Sequence, residues 1–326
     1  MKPAKNYSRD TFFNFSIIVF TIAFCLFSFV FPDIAGKNVK TALNICSAKL
    51  IPSLFPTLVV STFFSLSNIF DKFNSFIYKP LNKVLGIPKA LSTSALLGLI
   101  AGYPVCAVCA QSMYIEKKCT KQQAEYTTAV CSNPSFAFIL SAVGVGVLGN
   151  RAFGGLLIIC MLISLIFTSF ILRHIYCIKN IDNSSMNYPQ FKGISVTSAL
   201  LKSISQSAFL MMKICSFVIF FSCMSEFFIF ALTRFIKINN CSYSMIKGFF
   251  EISGGIFSID TNYINRAALI AFAVCGWSGM SVLFQISEIF HECGLSVKPY
   301  IVAKALNTFI FPLILQTGLL FLPNIL

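Results

Sequence analysis

Seven stretches of this chain contain no Asp, Glu, Lys or Arg, and each is long enough to cross about 30 Å of hydrocarbon. They cover residues 11–32, 50–70, 90–115, 126–150, 152–172, 267–287 and 305–326. Two more apolar segments are broken by one acid each, 214–233 by Glu226 and 248–259 by Glu251. Charged residues make up only 11% of the 326-residue chain, against roughly 25% in an ordinary soluble domain. The expectation is an all-α polytopic membrane protein with about nine membrane segments and no soluble domain.

The first segment has Lys2, Lys5 and Arg9 ahead of it, as a signal sequence does. Its run is too long for a cleaved signal, and Phe31-Pro32-Asp33 is no small-residue cleavage site. It reads as an uncleaved helix with a cytoplasmic N-terminus. The net charge of +14 could imply nucleic acid. However, the lysines lie in short loops, such as Lys72, Lys79, Lys83 and Lys89, or Lys117, Lys118 and Lys121. Membrane topology and anionic lipid place them there, so no nucleic-acid partner is expected. The 13 cysteines lie mostly in apolar spans, where a free thiol packs as a small hydrophobe. Cys106-x-x-Cys109 has no second pair to complete a metal site, and the two histidines form no ligand cluster. No metal, no cofactor and no enzymatic activity are expected.

A pattern of residues recurs 174 positions apart. Gly102, Val108, Gln111, Ile115, Cys119, Tyr126, Ala129 and Asn133 return as Gly276, Val282, Gln285, Ile289, Cys293, Tyr300, Ala303 and Asn307. Chance gives roughly two or three such identities over that length. Each copy interrupts an apolar span: Gly102-Tyr103-Pro104 in the first, Gly276-Trp277-Ser278-Gly279 in the second. A second interruption follows, Ser132-Asn133-Pro134-Ser135 against Leu306-Asn307-Thr308. Irregular backbone inside a bilayer survives only when buried in protein or facing a watery cavity, so broken helices imply a cavity. The amphipathic segments 37–49 and 195–213 are expected to lie at the interface and feed a membrane helix in each half. Pro52 and Pro56 should bend the start of the first of these helices. Domain bounds follow: an N-terminal transmembrane helix at 1–36, repeat 1 at 37–150, a connecting helix and polar loop at 151–194, and repeat 2 at 195–326. If the segment near 73–87 is interfacial, the repeats face opposite ways; if it is inserted, they are parallel. The inverted arrangement is taken as the expectation.

Five elements carry a resemblance. Lys49-Leu-Ile-Pro-Ser-Leu-Phe-Pro56, Gly98-Leu-Ile-Ala-Gly-Tyr-Pro-Val105, Cys131-Ser-Asn-Pro-Ser-Phe136, Glu251-Ile-Ser-Gly-Gly255 and Gly276-Trp-Ser-Gly-Met-Ser-Val-Leu-Phe-Gln285 resemble the YlbJ-type sporulation integral membrane proteins. These belong to the group with nucleoside-recognition (gate) domains. The likeness covers the chain from about residue 40 onward. This chain departs at Cys106-Ala-Val-Cys109, where the family has Gly-Ala-Lys, so Cys109 lacks a charge. The resemblance implies the mother-cell-derived outer membrane of the forespore, and transport of dipicolinic acid, a small aromatic dicarboxylate, toward the spore.

Seven residues are candidates for the solute. Gln111 and Gln285 can each donate and accept, as a planar carboxylate or heterocycle requires, although such amides also join membrane helices to one another. Asn133 and Asn307 could cap half-helices whose free amides favour an anion. Tyr103 and Trp277 could stack on an aromatic solute; Ser278 lies in the same interruption as Trp277. Glu226 and Glu251 are the candidates for ion coupling, because an acid inside the bilayer is expensive to keep. Desolvation favours a neutral carboxyl at Glu251. Its plainer reading is an ion pair with Lys247, one turn earlier. The functional expectation is a permease for a small anionic aromatic solute held where the breaks meet. The competing readings are a non-transporting scaffold or assembly factor for the spore envelope, and a nucleoside or ion permease.

Overall fold

The computed structural model describes residues 7–67, 69–176 and 195–321. The described residues form helices and the turns between them, with no strand among them. Lys2 and Lys5, and the part of the expected polar loop from residue 177 to 192, lie outside the described residues.

The chain opens with α1 (Tyr7–Val30) and α2 (Pro32–Ile45). A π-helical turn, Cys46–Leu50, carries α2 straight into α3 (Ile51–Ser67). Segment 37–49 is therefore part of one long helix, not a separate interfacial one. The wider turn stands immediately ahead of Pro52, where a regular ladder would lose a donor. Next come α4 (Ile69–Leu85) and α5 (Ser92–Ala101), which meet at a 110° bend. Helices α6 (Val105–Ile115) and α7 (Lys121–Cys131) form a hairpin. Thr120 starts α7 with a capping box: its hydroxyl accepts from Gln123 N–H at 3.2 Å, and the Gln123 side chain accepts from Thr120 N–H at 2.9 Å. A π-helical segment, Phe138–Val145, leads to α8 (Arg151–Tyr176).

The second half begins with α9 (Val196–Thr233), continuous for 38 residues, so 195–213 is not a separate interfacial helix either. It continues through α10 (Asn240–Phe250), α11 (Ile252–Phe257), α12 (Ile264–Trp277), α13 (Met280–His291) and α14 (Lys298–Phe321). Among the described residues, five helices are long and apolar enough to cross a membrane, or six if the bent α4–α5 pair counts as one span. Nine segments were expected. The difference arises because interfacial and membrane segments fuse, while breaks leave pieces too short to cross alone. The long helices expose large apolar side chains, including Phe170, Phe209, Met212 and Phe309, an outer surface that only lipid would cover well. This is a multi-pass membrane protein.

Elements matched by the repeat touch each other. Gln111 Nε2 of α6 donates to the Ile289 carbonyl of α13 at 2.7 Å. Along α7 and α14 the contacts advance together: Lys121 with Gly294, Glu125 with Ser296, and Lys304 with Asn133. The two helices thus run in the same direction, with the tips of both hairpins at one end. Matched spanning helices of inverted repeats would run antiparallel. The two hairpins are therefore parallel copies. A buried apolar cluster of Leu91, Ala107, Tyr126, Phe290 and Tyr300 joins them.

Candidate functional site

Helix interruptions meet at the centre. Gly102, between α5 and α6, takes φ +82°, a conformation that most side chains oppose. A Cβ there would stand 2.7 Å from Ser135 N, and the next residue, Tyr103, donates its N–H to the Asn133 carbonyl at 3.1 Å. The first interruption therefore rests on the second, residues 132–135, which is unwound as expected. In the other half Gly276 packs against the Asn307 carbonyl so closely that a Cβ would collide with it. There the interruption falls at Ser278 (φ +74°) and Gly279 (φ +87°). α14, by contrast, runs unbroken through Leu306-Asn307-Thr308, so the second half lacks the matching second break. The sequence explains why: the first copy has Pro134 after its Asn, which disfavours helix there, and the second copy has Thr308.

Three cavities lie in series around these interruptions. A large one of about 620 Å³ is bordered by Gln111, Ser112, Lys213, Gln285, Glu288 and Glu292. A small central one of about 40 Å³ is bordered by Tyr103, Ser135, Glu251, Ser253, Ser281 and Gln285. A third, of about 190 Å³, is bordered by Asn38, Ser222, Lys247, Glu251 and Ser258. Gln285 faces both the large and the central cavity, and Glu251 faces both the central and the third. The central space holds only a few waters, whereas the large one has the size of a small-molecule pocket.

The expected residues fall into different places. Gln111 also donates to Glu292 Oε2 at 3.1 Å within the large cavity. Gln285 Nε2 donates to Ser281 Oγ at 3.3 Å. The Tyr103 hydroxyl is buried and has no hydrogen-bond partner among the described residues. Asn133 is buried behind the cavity wall, donating to the Val130 carbonyl at 2.9 Å and accepting from Lys304 Nζ at 2.7 Å. Asn307 faces away, accepting from Thr168 Oγ1 of α8 at 2.8 Å. Ser278 is buried and donates to the Cys275 carbonyl at 3.4 Å. Trp277 donates its indole N–H to the Phe249 carbonyl at 2.9 Å and stacks on the Phe249 ring with centroids 5.4 Å apart. Tyr103, Gln111 and Gln285 thus border the cavities, and Trp277, Ser278 and Asn307 do not.

The two acids differ sharply. Glu226 Oε1 accepts from the Tyr243 hydroxyl at 2.7 Å and pairs with Lys247 Nζ at 2.6 Å. Lys247 therefore serves Glu226. Glu251 instead caps α11, its two oxygens accepting from the backbone N–H of Ser253 at 2.9 Å and of Gly254 at 2.5 Å.

Sequence reasoning passed over one residue, Lys304. It lies in the second turn of α14, and its side chain is 1% exposed. The signal was available, since the charge sits one position before an apolar run, but cutting the run at that charge hid the fact that the helix starts at Lys298. A buried cation thus reaches the neighbourhood of α6 from α14, while Cys109 carries none.

No protein-family model matches the chain, and no solved structure matches it. A curated relative does, the sporulation integral membrane protein YlbJ of Bacillus subtilis (strain 168). It is 22% identical over 309 residues, covering 85% of this chain and 75% of that protein. Over most of its length, then, this multi-pass helical membrane chain is similar to a sporulation integral membrane protein of the YlbJ type.

Proposed function

We propose that this protein is a permease for a small anionic aromatic solute. On the resemblance to a sporulation membrane protein, the solute to try first is dipicolinate, moved toward the forespore across its mother-cell-derived membrane. One observation carries the reading: two polar residues, Gln285 and Glu251, each stand between two cavities of a three-cavity series. A scaffold has no need of such a series. The solute enters the large cavity, where Gln285 offers an amide donor and α6 begins at the wall, its N-terminal end favouring negative charge. It passes Gln285 as the central space widens, and leaves past Glu251. Protonation of Glu251 would loosen the two charge-assisted bonds that hold it on α11, tying passage to proton movement.

The test is uptake of labelled dipicolinate, a nucleoside and an inorganic anion into vesicles holding the purified protein. Dipicolinate should enter at rates well above protein-free vesicles. Entry of the nucleoside alone would redirect the reading to a nucleoside permease. Entry of none would return the protein to the scaffold class.

A further inference from the structure

We propose that Lys304 and the unwound turn at residues 132–135 form a carboxylate-binding subsite behind the central cavity, occupied in this structure by the side-chain oxygen of Asn133. This rests on the permease reading for its choice of solute, but it stands on different observations.

An ammonium group has three N–H donors and wants negative charge. Lys304 Nζ gives one bond, to Asn133 Oδ1 at 2.7 Å, and stands 5.3 Å above the Tyr300 ring. None of the ion pairs among the described residues includes it. Burying such a charge without a counter-ion is costly, so its retention needs a purpose. The side chains around it point to one. The hydroxyls of Thr128, Ser132, Tyr103 and Tyr300 are all buried and without hydrogen-bond partners among the described residues. Each of them can donate. The region therefore holds a cation with no ion-pair partner among the described residues, beside buried hydroxyls that can turn a donor toward an anion. An ionised carboxylate supplies only acceptors, about four lone-pair positions on one anion. A neutral molecule or water brings no charge.

The route to the subsite is also present. Pro134 and Ser135, the next two residues of the turn, border the central cavity, and so does Tyr103. The turn is held by few bonds: Ser132 N–H to the Thr128 carbonyl at 3.0 Å, Tyr103 N–H to the Asn133 carbonyl at 3.1 Å, and the Asn133 amide to the Val130 carbonyl at 2.9 Å. If Asn133 swings aside, its oxygen is replaced on Lys304 by a carboxylate oxygen arriving from the cavity.

The experiment is equilibrium binding to the purified full chain in detergent. The probes are pyridine-2,6-dicarboxylate and its uncharged dicarboxamide, read by the fluorescence of Trp277, the one tryptophan, and by thermal shift. The dicarboxylate should bind and the dicarboxamide should not. Lys304→Met should weaken dicarboxylate binding about tenfold to hundredfold, the range for one charge-assisted bond. Asn133→Asp places a permanent carboxylate on Lys304. It should raise the melting temperature while weakening dicarboxylate binding by a similar factor, and it serves even if Lys304→Met fails to fold. No binding by the wild type, equal binding of both probes, or undiminished binding by Asn133→Asp would each overturn the subsite. Binding in detergent without uptake into vesicles would sink the permease reading and leave the subsite standing. Uptake by Lys304→Met with unchanged half-saturation would do the reverse.

Discussion

Glu226 and Glu251 look alike as letters, each a single acid in an apolar stretch, yet the fold gives them different chemistry. Glu226 neutralises Lys247 and takes a proton donor from Tyr243. Removing it leaves a half-buried ammonium without its counter-charge. Glu226→Gln should therefore cost about 1–3 kcal/mol of stability. Adding Lys247→Met should recover most of that loss, and thermal unfolding in detergent would check both. Equal melting temperatures for wild type and Glu226→Gln would mean the pair contributes nothing. Glu251 makes no such pair; it accepts two backbone N–H bonds. A glutamine there can accept only one, because its amide nitrogen would face a second donor. Glu251→Gln should lose about 1 kcal/mol from the α11 cap. It should also lose the pH dependence of transport, while Glu226→Gln transports normally once folded. A pH profile of Glu251→Gln identical to wild type would remove Glu251 from coupling.

At the level of elements, the two glycine contacts explain why a break in one span is tied to its neighbour. Gly102 and Gly276 each lie against the backbone beside the matching asparagine, one at an unwound turn, the other against an intact helix. Gly276→Ala would push α12 off α14 and should destabilise by about 1–3 kcal/mol, the usual range for overpacking. Gly155→Ala in α8 meets nothing within 4 Å and should leave the melting temperature unchanged or raise it, since alanine favours a helix interior over glycine. If both substitutions behave alike, close α12–α14 approach is not what Gly276 provides. The bend between α4 and α5 and the π-helical turn before α3 belong to the same scale. Both let an apolar segment change direction or absorb a proline while remaining helical.

For the whole molecule, the direction of the two hairpins is the statement most open to test. Their tips, residues 116–120 and 292–297, lie together, as the Lys121–Gly294 and Glu125–Ser296 bonds require. Single cysteines at Lys117 and Glu292, in a background cleared of reactive thiols, should both react with a membrane-impermeant reagent from the same side of oriented vesicles. Labelling from opposite sides would restore inverted repeats.

The sequence by itself determined the environment and the class. Uncharged runs have few physical options besides membrane helices, and proline and glycine mark where those helices must break, as at Gly102–Pro104 and Asn133–Pro134. It also marked Gln285 and Glu251, which the fold then sets between cavities. Tertiary structure alone decided the rest. Whether 37–49 and 195–213 lie on the membrane or continue into it depends on packing partners that no local pattern encodes. The same holds for which acid takes Lys247, and for the turn of Asn307 toward Thr168. Helix direction in the repeat follows from the number of crossings between copies, which periodicity does not count. Lys304 is the sharpest case: a charge at the edge of an apolar run reads as a loop residue, until the helix extends past it and buries it with no ion pair among the described residues.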